Sequence, residues 1–316
     1  MAGAVFALTA FETQAEDIKL RVSIFPSAQN VPLFVAQDQG FFKKRGLDVE
    51  IIFTPNSLAL RNGLVNGSHQ IAQAAVDNAV AMVEVAKADV IIAAGGGNGA
   101  TSLMVRPEIN SFTDLRGKTA VVDAPDTAYA LVMYKMLALK GIKKSEYNIL
   151  PGGGCPQRLD AMRKDPVNAF SMLYPPCTVL AEKEGYRNLG VGVDVVGPYQ
   201  ADGIFVMRDW AKANAETLVK YLQSLIEGNR YAVDPVNQMA AVASLSKHLK
   251  IDADVAAKSL AVIVGPKGAL AKDVRFDMEG FQNALKIRAE IEGASGTLVP
   301  AKYLDLSYYE RALSGR

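Results

Sequence analysis

Four acidic side chains, Asp77, Asp123, Asp126 and Asp202, stand where apolar runs of this sequence give way to polar tips or crossings. Short hydrogen-bonding residues hold the same kind of position: Ser27, Gln29 and Asn30; Asn56 and Ser57; Asn78; and Thr127. Such groups at strand ends orient a small ligand by hydrogen bonds and charge. Covalent or metal chemistry has far less to work with. The 316 residues include only two cysteines and two histidines, and no Ser-His-Asp or Cys-His constellation can be assembled from them. A histidine or cysteine metal centre is not expected either. The glycine runs Gly95–Gly99 and Gly152–Gly154 lack the Lys-Ser/Thr that a phosphate loop requires.

Each polar tip has a plainer use. Ser27, Asn30, Asn56, Ser57, Asp77, Asn78, Asp126 and Thr127 all precede or open a helix, where side-chain oxygens satisfy free backbone amides. A cap does not exclude a ligand contact, because the same helix start offers amides to a ligand. Tyr174, Phe25 and Tyr129 are candidate aromatic walls, with core packing as the alternative, favoured for Phe25. Tyr174 precedes two prolines that hold its loop extended. The acids carry a charge argument. Carboxylates repel an anion most strongly where water is excluded, so the ligand is expected to be neutral, zwitterionic or amine-bearing. Arg61 and Arg158 would offset this only by turning inward, and both read as residues of solvated helix faces.

The elements that must position these residues alternate. An apolar helix from Phe34 towards Lys44 is stopped by Gly46, and a strand follows over 47–53. A helix near 58–67, a strand ending on Val76-Asp77-Asn78, a helix over 78–88 and a strand over 89–94 complete a first α/β unit. Gly95–Gly99 is expected to break the pattern as a flexible loop, leading to an extended crossing over 101–105. A second unit follows, with strands at 118–123, 147–151, 167–173 and 187–193 and helices between them. Residues 203–207 read as the returning crossing, and the tail reads as helices near 210–232, 235–248, 252–263 and 277–292. In open α/β sheets the ligand sits beyond the carboxyl ends of strands, which selects the tips named above.

Cys155 and Cys177 each open a helix of the second unit. The expected strand order sets 118–123 between their strands, ~9–10 Å from axis to axis. That is beyond disulfide reach unless the loops lean inward, although an oxidising compartment would favour pairing.

Half the residues are apolar, 21% are charged, and the formal net charge is +1. This composition predicts a globular chain, gives no reason to expect nucleic acid, and leaves no internal run of the ~20 apolar residues a membrane span needs. Residues 1–15 read as a residual signal-like segment, apolar with small residues at Thr13-Gln14-Ala15 but without a basic leading region. A mature chain beginning near Glu16 and working outside the cytoplasm is the expectation.

Several stretches resemble the solute-binding proteins of ABC importers for nitrate, sulfonates, taurine and pyrimidine precursors. They are Val35-Ala36-Gln37-Asp38-Gln39-Gly40-Phe41-Phe42, Gly46-Leu47-Asp48-Val49-Glu50, Leu64-Val65-Asn66-Gly67 and Asp114-Leu115-Arg116-Gly117-Lys118-Thr119-Ala120-Val121. The resemblance spans roughly residues 18–210. It implies a two-lobe, type II periplasmic-binding fold with two hinge crossings: lobe 1 from 18–104 plus 203–316, lobe 2 from 105–202. It further implies a monomeric, non-catalytic periplasmic receptor that needs no cofactor, closes on a small organic ligand and hands it to a membrane permease. The related receptors use the tips that hold Ser27, Gln29, Asn30, Asn56, Ser57, Asp77, Asn78, Asp126, Thr127 and Tyr174, and Asp202 lies at a crossing. Relatives that bind oxyanions often carry small hydroxyl residues or glycine where this chain has Asp123 and Asp126. Synthases of the thiamine pyrimidine precursor share the resemblance, but they carry a cysteine-rich motif and a working histidine. Two separated cysteines argue against that reading. A sensory module acting through a membrane partner stays open.

Overall fold

A computed structural model describes residues 16–265, 269–293 and 298–315; the signal-like segment, residues 1–15, lies outside them. The chain runs β1 (Ile18–Ile24), α1 (Val31–Asp38), β2 (Leu47–Phe53), α2 (Ser57–Val65), β3 (Ile71–Ala75), α3 (Asp77–Glu84) and β4 (Val90–Gly97). It continues through β5 (Ser102–Val105), β6 (Thr119–Val122), α4 (Ala128–Leu139), β7 (Asn148–Pro151), α5 (Cys155–Lys164), β8 (Asn168–Leu173), α6 (Cys177–Lys183), β9 (Arg187–Val191) and α7 (Gly192–Val196). β10 (Asp202–Met207) then precedes a helical tail: α8 (Arg208–Ala213), α9 (Ala215–Val233), α10 (Gln238–Leu249), α11 (Ala253–Val264), α12 (Met278–Glu292) and α13 (Ser307–Ser314).

Two five-stranded sheets result, ordered β2-β1-β3-β10-β4 and β7-β6-β8-β5-β9. In each, one strand arrives from the other side of the molecule and pairs antiparallel: β10 between β3 and β4, β5 between β8 and β9. The chain therefore crosses twice, at 98–101 and at 197–201, and Ala201 N–H donates to Gly97 O where the crossings meet (2.9 Å). Helices cover both faces of each sheet, so the strands are buried apolar runs. Val22, Ile24, Ile71 and Ile91 face α1 and α9 in one core, and Leu103, Ala120 and Phe170 face α4 in another. Burying a side chain such as Phe34, fully enclosed here, contributes roughly 1.5–3 kcal/mol. α12 serves both lobes: Phe281 and Leu285 join the first lobe's core, Ala284 and Ile287 the second's.

Three sequence expectations change. α1 ends at Asp38 rather than near Lys44, because Gly40 already takes the left-handed conformation (φ +72°), and a short 3-10 turn leads to Gly46 (φ +68°). Gly95, Gly96 and Gly97 are not a loop: β4 runs through them. The backbone of 269–276 lies directly on this strand, where a Cβ at Gly95 would stand 2.2 Å from Arg275 O and one at Gly97 1.6 Å from Ala269 O. The glycines admit a second backbone rather than slack. The long helix expected over 210–232 divides at Asn214, whose side chain donates to Trp210 O (2.9 Å).

The strand order around the cysteines is as expected, with β6 between β7 and β8. The thiols nonetheless meet within hydrogen-bonding reach. Both are buried and free; Cys177 donates to Cys155, and Cys155 donates to Tyr174 O (3.7 Å). Burial pushes the Cys177 thiol up, while Cys177 and the Arg158 guanidinium outweigh burial at Cys155 and draw it down.

Candidate functional site

The carboxyl ends of β1 and β3 in the first lobe face those of β6, β7 and β8 in the second, and a cavity of about 60 Å³ lies between them. That is room for about four or five waters. First-lobe walls are Phe25, Ser27, Gln29, Asn30, Ser57, Gln73 and Asn78; second-lobe walls are Asp123, Thr127, Tyr129, Gly154, Arg158 and Tyr174. Asp202 and Gly203 close the floor where β10 begins, and Leu225, Leu270 and Val274 reach in from the tail.

The lobes are drawn together by hydrogen bonds from tip to tip. Ala28 N–H donates to Pro175 O, and Gly154 N–H to Pro55 O, both at 2.9 Å. Ser57 donates through both its backbone amide (3.2 Å) and its hydroxyl to Asp123. Arg61 pairs with Asp126 at 3.0 Å, and Arg288 donates to Asp126 O at 2.8 Å. This is a closed arrangement of the kind hinge-bending binders adopt around a ligand.

The predicted site residues divide. Ser27 caps the turn before α1, accepting from Gln29 N–H (3.2 Å), and also lines the cavity. Asn30 does not cap; it donates to Phe25 O and accepts from Gln73, which in turn accepts from Tyr221. Ser57, Asn78, Thr127 and Tyr174 line the cavity too, with Asn78 accepting from Arg61 (2.8 Å) and Thr127 donating to Ala124 O (2.8 Å). Tyr174 packs tilted on Tyr129, centroids 5.6 Å apart, so two aromatic rings form one wall. Asn56 lies outside the cavity as the cap of α2, accepting from Ala59 N–H (2.8 Å).

Two of the acids are placed otherwise than the charge argument supposed. Asp77 is outside the lining, held by Arg288 through Nε (2.6 Å) and Nη2 (3.0 Å), and Arg288 is 1% exposed. Asp126 is outside it as well: burial raises its carboxyl, but Arg61 wins and holds it below the usual carboxylate range. Arg61 is thus an ion-pair partner. Arg158, expected on a solvated face, is 3% exposed and turned inward, because its Nη1 reaches Met172 O (2.6 Å) under the cavity wall.

Asp202 differs from the other acids. Its surface opens into the cavity, yet protein surrounds it, and burial pushes its carboxyl up to about 7. Tyr129 donates to Oδ1 at 3.4 Å and pulls the other way, while Oδ2 has no hydrogen-bond partner. Gln29 Oε1 and Arg158 Nε are likewise buried without partners. Gln73 and Arg158 were missed by the tip rule. A polar residue inside the apolar run Ile-Ala-Gln-Ala-Ala was the available signal for Gln73; nothing local marks Arg158. The lining glycines Gly95, Gly96 and Gly203 were also missed, and their run was the signal that backbones approach closely here.

Among the described residues no helix is long and apolar enough to cross a membrane, and no group of three or more His, Cys, Asp or Glu is placed to hold a metal ion.

Solved structures share this architecture over nearly its whole length. A protein from Bordetella bronchiseptica RB50 superposes with a TM-score of 0.79 at 21% identity, over 96% of this chain and 99% of that one. The periplasmic nitrate-binding protein NrtA from Synechocystis PCC 6803 gives 0.80 at 13% identity, over 95% and 89%. The alkanesulfonate-binding protein SsuA from Xanthomonas axonopodis pv. citri, bound to MOPS, gives 0.74 at 16% identity, over 92% and 99%. The fold is therefore the two-lobe periplasmic-binding type expected from the sequence. No curated protein sequence matches the chain. The profile of the NMT1/THI5-like family matches residues 27–238, most of both lobes, and the chain belongs to that family.

Proposed function

We propose that this chain is an extracytoplasmic solute-binding protein of an ABC importer. It holds one small organic molecule between its lobes and presents the closed form to a membrane permease, acting as a monomer. The observation that carries this reading is the cavity whose walls come from both lobes and whose rim is closed by hydrogen bonds between tips. A molecule seated there bridges the lobes, so its binding energy and closure are one event. The nitrate-binding protein NrtA and the alkanesulfonate-binding protein SsuA, both built on the same fold, support the reading.

The placement of the histidines favours binding over turnover. His69 packs under α2 with Gly63 against its ring, and His248 stacks on Phe34 beside Asp38; neither lines the cavity. Cys155 and Cys177 lie buried behind Tyr174. Among the described residues lining the cleft, general acid-base chemistry would fall to Asp202, Asp123, Tyr129 and Tyr174.

The test pairs thermal unfolding with small-angle scattering across a panel of small metabolites. A ligand at a hundred times its dissociation constant adds ~2.7 kcal/mol to stability, and the same compound should shift the scattering towards the closed form. A compound that stabilises without closing the lobes would count against the receptor mechanism. One that emerges chemically changed would favour an enzyme on this fold.

A further inference from the structure

The charges around the cleft can be matched pair by pair. Asp77 is met by Arg288, Asp126 by Arg61, and the buried Arg158 guanidinium faces Asp123, which also accepts from Ser57. Among the described residues lining the cavity, Asp202 alone has no cation opposite it: its neighbours are Tyr129, which gives one hydrogen bond, and the polypeptide that buries it. An ionised carboxylate left so is costly unless a partner arrives.

A second group points the same way. Gln29 is 7% exposed, and its Nε2 donates to Gly99 O. A carbonyl oxygen can only accept, so the amide nitrogen must face it, leaving Oε1 as an acceptor. That Oε1 has no partner. Gly99 ties the two groups together: a Cβ placed on it would stand 2.9 Å from the Tyr129 hydroxyl that bonds Asp202. Two unpartnered acceptors, one of them a carboxylate, thus belong to residues that line the same cavity. The Tyr129 proton is committed, because burial and the neighbouring Asp202 both keep that hydroxyl protonated.

We infer that Asp202 Oδ2 and Gln29 Oε1 form a subsite for a protonated amine, so that the solute is an amine-bearing organic molecule held with its ammonium at the floor. An ammonium supplies up to three N–H donors and the missing positive charge in one group. An alcohol supplies one donor and no charge. A carboxylate or sulfonate supplies neither and meets like charge in a site with little water. The apolar part of the molecule then lies along Tyr129, Tyr174 and Phe25. This inference rests on the receptor reading, which it refines by ligand class.

The test separates the two. The full chain is dialysed to equilibrium at pH 8 against a defined mixture of primary amines, alcohols and carboxylates matched in carbon skeleton, aromatic and aliphatic, and the retained compounds are read by mass spectrometry. Retention of an amine at least tenfold over its alcohol and carboxylate counterparts is expected. Asp202→Asn, which keeps the shape and removes the charge, should lower that retention at least tenfold while the folded population stays intact by circular dichroism. Preferred retention of a carboxylate or an alcohol would overturn the amine subsite and leave the receptor standing. Retention of nothing by the folded chain would overturn both. Equal amine retention by wild type and Asp202→Asn would remove Asp202 from the site.

Discussion

Asp77 and Asp202 begin from almost the same place. Ala75, two residues before Asp77, pairs in register with Asp202 across the β3–β10 seam, and both acids stand at the cleft end of the first sheet. Yet Asp77 is gripped at both oxygens by a guanidinium that is itself buried, whereas Asp202 shares one oxygen with a tyrosine and has no partner for the other. The first arrangement spends its charge inside the protein and holds α12 to the first lobe. The second leaves charge unspent, at a cost in stability. Proximity to a cleft therefore does not by itself make an acid available to a ligand, because an internal partner can take up its charge.

Breaking the Asp77–Arg288 pair should give the largest effect. Arg288→Met leaves a buried carboxylate uncompensated, which costs roughly 3–5 kcal/mol, and it also severs the bond to Asp126 O that reaches the second lobe. Urea unfolding would measure this. The double variant Asp77→Asn/Arg288→Met should recover much of the loss, because no bare charge remains. A loss below about 1 kcal/mol in the single variant would mean the pair does not support the fold, and Asp77 would return as a ligand contact.

The opposite sign is expected at Asp202. Its folded carboxyl titrates at about 7 against an ordinary 3.8, so the folded state holds the proton more tightly than the unfolded one. Its contribution is most favourable below about pH 4 and is lost as the pH rises to about 7. The rise from 3.8 to about 7 sets a ceiling of about 4 kcal/mol, lowered by whatever water enters the cleft. Without ligand, Asp202→Asn should therefore raise the unfolding free energy above pH 7 by about 1–3 kcal/mol and change it little at pH 4. His69 works in the other direction, since burial draws its imidazole down to about 4 and stability falls as the pH drops below 6.5. It is common to both proteins, so the difference between them isolates Asp202. A variant less stable than wild type at pH 8 would sink the unpaired-charge reading.

The same contrast shows what a sequence can disclose. Apolar runs bounded by Gly46, Gly141 and the Pro-rich tips mark the strands, because burial on both faces and chain reversal leave local signatures. The strand-end rule then reaches Ser27, Gln29, Ser57, Asn78, Thr127 and Tyr174 as residues at the cleft. What it cannot reach is partnership across distance. Arg288 lies 211 residues from Asp77 and Arg61 65 from Asp126, so four acids that look alike along the chain are sorted only by tertiary contacts. The Gly95–Gly97 run misleads for the same reason, since the backbone it admits comes from 269–276. Arg158 reads as a surface arginine because the carbonyl that draws it inward, Met172 O, belongs to the next strand.

The smallest effect belongs to the pair at the rim. Arg61 and Asp126 join the lobes at 3.0 Å, but the Asp126 side chain is 48% exposed. Solvent screens such a pair to about 0.2–1 kcal/mol, and Arg61→Ala, which also loses the bond to Asn78, should cost about 1–2 kcal/mol in urea unfolding. Its influence should appear in closure. The bond exists only while the lobes are together, so removing it shifts the open–closed balance by its whole worth, up to about fivefold. Small-angle scattering of the ligand-free variant should show more of the open form, and the bound ligand should leave a few times faster. Raising the salt concentration should shift the wild type further than the variant, in which the exposed Lys183–Asp254 pair between the lobes remains to be screened. A variant that loses several kcal/mol of stability instead would place Arg61 with Arg288, as part of the fold rather than of the latch.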